Sequence, residues 1–344
     1  RFIAPNRLIL NDDTEIEAGR VVIATGSRPV WPSTWDALGD RLIINDDVFD
    51  WDDLPSAIAV FGNGVIGLEL AQALNRLGVR VKLFGRSGRV GPLTDPVVAE
   101  AARAAYAAEY RFPSSSEVVS VKREGNQVIV TERLAGREVE ERFDYLIAAT
   151  GRRPNLDRLG LEHAGIVLDE LGTPLDWDRR TAQIGESAIF LAGDAAPDAP
   201  LLHEASDAGR IAGENAARFP FVAPRHRRTP IGVVFSDPQI AMVGQSHAQL
   251  TKAQAKFITG AVDFTGQGRA RVAGRNIGKL NVYAHPETGK FLGAEMVGPA
   301  AEHIAHLLAW AIEADRSVQQ MLDSPFYHPV IEEGVRTALR AARD

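Results

Sequence analysis

Three glycines spaced as Gly62-Asn63-Gly64-Val65-Ile66-Gly67 follow an apolar run and open an amphipathic one. At that spacing the first glycine makes a tight turn. The second lets the backbone approach a pyrophosphate, and the third lets helix and strand pack closely. The chemistry is anion binding by the N–H groups and the positive dipole end at a helix N-terminus. About twenty residues on, where a dinucleotide site usually carries an acid for the ribose hydroxyls, the chain reads Leu83-Phe84-Gly85-Arg86, with Arg89 close by. Gly85 brings no carboxylate to repel a 2′-phosphate and Arg86 could pair with one, which leans towards NADP(H) over NAD. Gly193-Asp194, after an apolar run, offers a carboxylate able to accept from a polyol. Thr25-Gly26 and Thr150-Gly151 each follow an apolar run and precede a basic residue and a proline. Near the end stands Phe-Tyr-His328-Pro-Val-Ile-Glu332-Glu333-Gly. Taken alone, such a histidine reads as a surface or capping residue.

The elements that must position these groups can be read from pattern. Residues 57–86 read strand, glycine turn, helix, strand, the length of a βαβ unit. Leu68, Ala71, Leu74 and Leu77 recur at helical spacing and Gly78 ends the helix. Residues 8–24 read as short strands and 97–110 as an alanine-rich helix, while 118–134 reads as strands around Glu-Gly-Asn. Residues 143–155 repeat the pattern of 21–29, which suggests two related strand-to-loop junctions. A strand over 188–192 is followed by a helix over 203–218 and a linker near 220–230. The remainder places strands first and helices later, as in a separate α+β domain.

Bulk properties narrow the class. A chain of 344 residues is long enough for roughly two or three domains. A net charge of −7 argues against nucleic acid as partner, because a phosphate backbone rewards a basic face. No apolar run is long enough to cross a bilayer, and no signal peptide is visible, so no membrane association and a cytoplasmic location are expected. With no cysteine, the chain has neither disulfides nor thiolate metal ligands, and no metal site is expected.

As a set, ATGSRP (24–29), GNGVIGLEL (62–70), ATGRRPN (149–155), FLAGDA (190–195), DPQIAMVG (237–244), GKLNVY (278–283), LGAEMVGP (292–299) and FYHPVIEEG (326–334) resemble the flavin-dependent pyridine nucleotide–disulfide oxidoreductases, dihydrolipoamide dehydrogenase most closely. They fall in the family's order and cover nearly the whole chain. The resemblance implies an α/β flavoprotein with two dinucleotide-binding domains and an α+β interface domain. Residues 1–53 and 146–222 would be pieces of the FAD domain, 54–145 the NAD(P) domain, and 223–344 the interface domain of a homodimer.

By the same resemblance Glu69 and Arg152 lie near the nicotinamide nucleotide, with Gly62, Gly64, Ile66, Gly67, Arg86, Val118 and Gly151 in the cofactor-binding set. Asp194, with Gly193, binds the ribityl chain of FAD; Leu202 and His203 lie along the flavin, and Thr25 and Gly26 join that set. His328 matches the acid/base histidine that one subunit presents to the redox disulfide of the other. Glu333, five residues on, matches the carboxylate that orients it, with Glu332 the adjacent alternative. Imidazole suits proton exchange with a thiol near neutral pH, and a carboxylate on one ring nitrogen fixes its tautomer.

The implied activity is electron transfer between a dithiol, dihydrolipoamide or a lipoyl domain, and NAD(P) through FAD. An NADPH-dependent disulfide reductase of glutathione-reductase type is the alternative suggested by Gly85-Arg86. The departures bear on this. The family's first flavin GxGxxG and its cysteine pair are not in the sequence, so the chain is expected to be an N-terminally truncated member, inactive by itself. A non-catalytic nucleotide-binding and dimerisation fragment is therefore a third reading. Transhydrogenase-like members have no need of the histidine, so His328 counts against them.

Overall fold

The computed structural model describes all residues except 12, 86–88, 113–116, 199 and 344. The chain forms two compact units, one of residues 31–151 with 229–344 and one of residues 1–30 with 152–228.

In the first unit the run Ala-Ile-Ala-Val-Phe is a strand, Ala57–Phe61, buried at every position. A strand apolar on both faces belongs in the middle of a covered parallel sheet. Here it lies between Arg80–Phe84 and Tyr145–Ala148, with Leu42–Ile43 at the edge, all parallel. Period-two alternation divides its side chains. Ile58 and Val60 pack with Leu68, Ala71 and Leu74 of the helix Val65–Arg76 and with Val98 and Ala102 of the helix Pro96–Ala107. Ala57, Ala59 and Phe61 face Val128, Val130 and Phe143 from an antiparallel three-stranded sheet, Glu117–Glu124, Gln127–Leu134 and Arg137–Phe143. Leu77, which spacing groups with the buried leucines, follows the last turn and is exposed; Gly78 (φ +95°) turns the chain there. The strand Leu42–Ile43 precedes the expected boundary at residue 54, yet it pairs with Tyr145–Ala148 in this sheet.

The same unit holds a five-stranded antiparallel sheet in the order Ile231–Val234, Gln239–Gly244, Phe291–Gly298, Lys279–Ala284, Ile258–Asp263. The helices Ala301–Glu313 and Glu333–Arg343 bury Ile304, Leu308, Val335 and Leu339 in a core with Leu280, Val282 and Met296. Fully buried Glu295 accepts from the backbone N–H groups of Asp95 (2.8 Å) and His247 (2.9 Å). Asp95 caps Pro96–Ala107 and also accepts from Asn281 and Tyr283. Burial, with the carboxylates of Glu295 and Asp95 beside it, pushes the Tyr283 hydroxyl well above its ordinary range, so it stays a donor. This buried hydrogen-bonded cluster, in which the Asn281 Oδ1 lacks a partner among the described residues, ties the parallel-sheet region to the antiparallel sheet.

The second unit begins with a three-stranded antiparallel sheet, Phe2–Ala4, Arg7–Leu10 and Thr14–Glu17. Val21–Ile23 runs parallel to Ile189–Leu191, and Ser27–Pro29 pairs antiparallel with Arg152–Pro154. Phe2, Ile23, Leu156, Leu161, Ile189 and Leu191 form its larger core. Phe190, on the other face of its strand, packs on Ala208, Ile211 and Ala212 of the helix Leu202–Arg218.

Candidate functional site

The glycine turn is built as its spacing requires. Gly62 holds φ +119°, a conformation side-chain-bearing residues rarely adopt, and a Cβ there would stand 2.0 Å from the Ala149 carbonyl oxygen. A Cβ on Gly67 would stand 1.7 Å from the Gly62 carbonyl oxygen. Gly64 is different: a Cβ there would meet nothing within 4 Å. Gly64 caps Val65–Arg76 without a side-chain hydrogen bond, so the first turn's N–H groups have no side-chain cap beside the cavity that Gly64 lines. That cavity has a volume of about 570 Å³, and Gly62, Gly64, Gly85, Arg89, Val118 and Gly151 line it. A helix N-terminus beside a cavity that Gly64 lines without a side chain fits a dinucleotide pyrophosphate.

Gly67 is packed behind this wall, with Ile66 just before it and Glu69 further along the helix. The Glu69 carboxylate accepts from the backbone N–H of Phe235 at 2.7 Å. Arg86 lies outside the described residues.

A second cavity, of about 530 Å³, belongs to the smaller unit. Arg152 donates from Nε to the Ser27 hydroxyl at 2.8 Å, and Ser27 donates to Asp194 Oδ2 at 3.1 Å. Gly151 and Arg152, adjacent in sequence, thus line different cavities. Thr25 and Gly26 hold the turn: Thr25 donates to the Asn155 carbonyl at 2.8 Å, and the Asn155 N–H donates to the Gly26 carbonyl at 2.9 Å. Gly193 (φ +65°) sets the bend that presents Asp194, a carboxylate suited to a flavin's hydroxylated chain. Leu202 and His203 begin the helix Leu202–Arg218, both exposed.

The C-terminal residues come together as a pair. His328 Nδ1 lies 2.9 and 3.0 Å from the two carboxylate oxygens of Glu333. The hydrogen bond from His328 holds the Glu333 carboxyl below its ordinary value, with smaller help from the Val330 N–H and Arg336. An ionised carboxylate only accepts, so Nδ1 carries the proton and Nε2 presents its lone pair outward. The His328 side chain is 79% exposed and that of Glu333 only 16%, so the acceptor is fixed and the ring reaches into solvent. Glu332, the neighbouring candidate, makes no such contact with His328 among the described residues. Glu333 is held from two sides. Arg336 donates to Oε1 at 2.7 Å. Its helix lies against Ile258–Asp263, because a Cβ on Gly260 would stand 2.0 Å from the Ala338 carbonyl oxygen.

Two family models match the chain. One, described as pyridine nucleotide-disulphide oxidoreductase, matches residues 3–209. The other, the dimerisation domain of pyridine nucleotide-disulphide oxidoreductase, matches residues 231–339. The chain belongs to this family. As a pyridine nucleotide–disulphide oxidoreductase it shares a flavoprotein architecture, and the family's cofactors are FAD and NAD(P).

Dihydrolipoyl dehydrogenase of Haloferax volcanii is 32% identical over 330 residues, covering 95% of this chain and 69% of that protein. Soluble pyridine nucleotide transhydrogenase of Photorhabdus laumondii is 28% identical over 332 residues, covering 94% and 69%. Among solved structures, LpdA from Mycobacterium tuberculosis matches with a TM-score of 0.81 at 28% identity, over 97% of this chain and 72% of that one. The HOCl-induced flavoprotein disulfide reductase RclA from Escherichia coli matches with a TM-score of 0.84 at 22% identity, over 98% and 77%, a likeness of fold. Among the described residues no helix is long and apolar enough to cross a membrane, and no group of three or more His, Cys, Asp or Glu is placed to hold a metal ion.

Sequence reasoning passed over four residues that shape these sites. Asn63 is a variable position of the glycine motif, which gives its side chain no role. Ser27, between Arg152 and Asp194, carried no signal beyond following Thr-Gly. A glycine inside a strand pattern, such as Gly260, marks a close backbone approach. Arg336, three residues after Glu333 on a helix, stands at the spacing of an ion pair.

Proposed function

We propose that this oxidoreductase is of dihydrolipoyl dehydrogenase type, exchanging electrons between a dithiol and NAD(P), with His328 as acid/base and Glu333 as its orienting carboxylate. The observation that carries this reading is the His328–Glu333 pair, whose outward Nε2 suits proton exchange with a thiol. When a thiol is oxidised, Nε2 takes its proton and the resulting imidazolium is stabilised by Glu333; in the reverse direction the proton returns. FAD, when bound, supplies the two-electron relay. Asp194 and Ser27 would hold its hydroxylated chain, and the N–H groups after Gly64 would hold the pyrophosphate of the nicotinamide nucleotide. Gly85 favours NADP(H) within NAD(P). The match to a dimerisation domain supports a homodimer in which His328 serves the partner's thiol pair.

The 344 residues contain no cysteine, so the thiol pair is not among them. This favours a second reading for the chain by itself, a nucleotide-binding and dimerising scaffold without dithiol turnover. Two assays of wild type and His328→Gln, with flavin monitored by its visible absorbance, test both readings. Dihydrolipoamide oxidation in the cysteine-containing enzyme should fall steeply in the variant, while NAD(P)H-driven reduction of an artificial electron acceptor should not. Near-normal dithiol turnover in the variant would sink the acid/base role. Direct exchange between NADH and NADP without dithiol turnover would assign a transhydrogenase. A colourless chain that binds only nicotinamide nucleotide would leave the scaffold reading.

A further inference from the structure

Gly85 closes the strand Arg80–Phe84 with an ordinary negative-φ or extended backbone; it is not among the residues in the left-handed region. Its glycine is therefore not demanded by conformation. It is demanded by a neighbour. A Cβ at position 85 would stand 2.5 Å from Asn63 Cγ, 2.6 Å from Oδ1 and 2.9 Å from Cβ. Separations of that size require something to shift, and Asn63 is poorly placed to do so. It is 8% exposed, and its Nδ2 donates to the Arg89 carbonyl at 2.6 Å. Its own carbonyl accepts from the Gly91 N–H at 2.8 Å. The side chain of the glycine motif's second residue is thus stapled to the loop after the second strand. Of its described residues, Gly85, Arg89 and Gly91 line the cavity beside Gly64.

We infer that Asn63 is a positioning residue for the selectivity of the nucleotide site, acting by leaving no room at position 85 for the carboxylate of an NAD site. An acid at position 85 is what would accept from the 2′- and 3′-hydroxyls of NAD. With Asn63 in place such an acid has no room, and a 2′-phosphate meets neither a negative charge nor a side chain there. A change of selectivity therefore needs two substitutions, and the acid alone fails. This rests on the reading of the cavity as a nicotinamide nucleotide site. It goes beyond that reading in naming a second residue behind the preference and in predicting non-additivity.

The test uses the chain with Gly85→Ala, Gly85→Asp, Asn63→Gly and both combined pairs. Melting temperature is read first, then NADPH and NADH binding by calorimetry. Gly85→Ala and Gly85→Asp should melt below wild type, and Asn63→Gly in the same chain should restore most of the loss. Wild type should bind NADPH at least about tenfold more tightly than NADH, a difference of about 1.4 kcal/mol. Gly85→Asp should lose both nucleotides, and Asn63→Gly/Gly85→Asp should prefer NADH. If Gly85→Ala and Gly85→Asp melt like wild type, or Asn63→Gly rescues neither, Asn63 does not lock the position and the inference falls. If wild type prefers NADPH but the substitutions act additively, the inference falls while the cavity reading stands. If wild type binds neither nucleotide, the cavity reading fails, and with it the selectivity role of Asn63; the melting temperatures then report the packing alone.

Discussion

At Gly62–Gly67 the groups that would face a nucleotide are backbone N–H groups, and their positions are set by contacts at Gly62 and Gly67 that leave no room for side chains. At His328–Glu333 they are two side chains, one of them mostly in solvent. The glycine turn sits at the end of a strand buried at every residue, so its geometry is part of a core. The histidine ring has no comparable packing; its orientation rests on one carboxylate, and that carboxylate on one helix. Damage to the turn should therefore act through folding, and damage to the pair through chemistry alone.

The sharpest way to break that contrast is Gly67→Ala. Its Cβ would overlap the Gly62 carbonyl oxygen at 1.7 Å, and the variant should lose about 4 kcal/mol or more of stability, measured by denaturant unfolding. Loss of no more than about 1 kcal/mol would show that the helix can move off the strand. His328→Gln should do the reverse. Stability should change by less than about 0.5 kcal/mol, while dithiol turnover in the cysteine-containing enzyme falls about 10²–10⁴-fold. Gly64→Ala falls between them. Its Cβ meets open space in the protein, so the fold should lose no more than about 1 kcal/mol of capping. Nicotinamide nucleotide binding, read by calorimetry, should weaken about tenfold because the methyl is added to the wall of the cavity.

The smallest effects sharpen the account of the pair. The folded Glu333 carboxyl titrates below its ordinary 4.5. Its pairing therefore adds stability that is complete above that value and is lost as the pH falls through the lowered one. His328→Gln should raise the Glu333 carboxyl towards its ordinary range, and Arg336→Gln should raise it by less, because the histidine hydrogen bond is the largest cause. Carbon-13 titration of the Glu333 carboxyl reads both. An equal rise in the two variants would mean that Arg336 holds the carboxylate as firmly as His328 does.

How much of this the sequence declared follows the same division. The glycine motif, the flanking strands and the helix could be placed from spacing, because a tight turn, a close approach and a 3.6-residue apolar period all leave marks in residue type. The two Ala-Thr-Gly runs were legible as related junctions. That Ser27–Pro29 and Arg152–Pro154, which follow them, pair with each other was not. Leu77 followed the helical period but emerged exposed, since periodicity does not mark where a helix stops. Glu333 was separated from Glu332 only by likeness to a family, whereas in the fold the choice follows from which carboxylate reaches Nδ1.

By itself, then, the sequence determined which residue types stand where: a glycine motif of the kind that binds anions at Gly62–Gly67, no acid at Gly85, an imidazole followed by two carboxylates at His328, and no thiol among the 344 residues. These are properties of residue types and short spacings, which persist in any conformation of the chain. Only the tertiary structure decided the pairings. Asn63 meets Gly85 across 22 positions, Gly260 lets the helix of Glu333 approach, and Ser27 stands between Arg152 and Asp194. Such contacts depend on how close two distant backbones come, and that distance is set by the packing of strands and helices between them rather than by either residue.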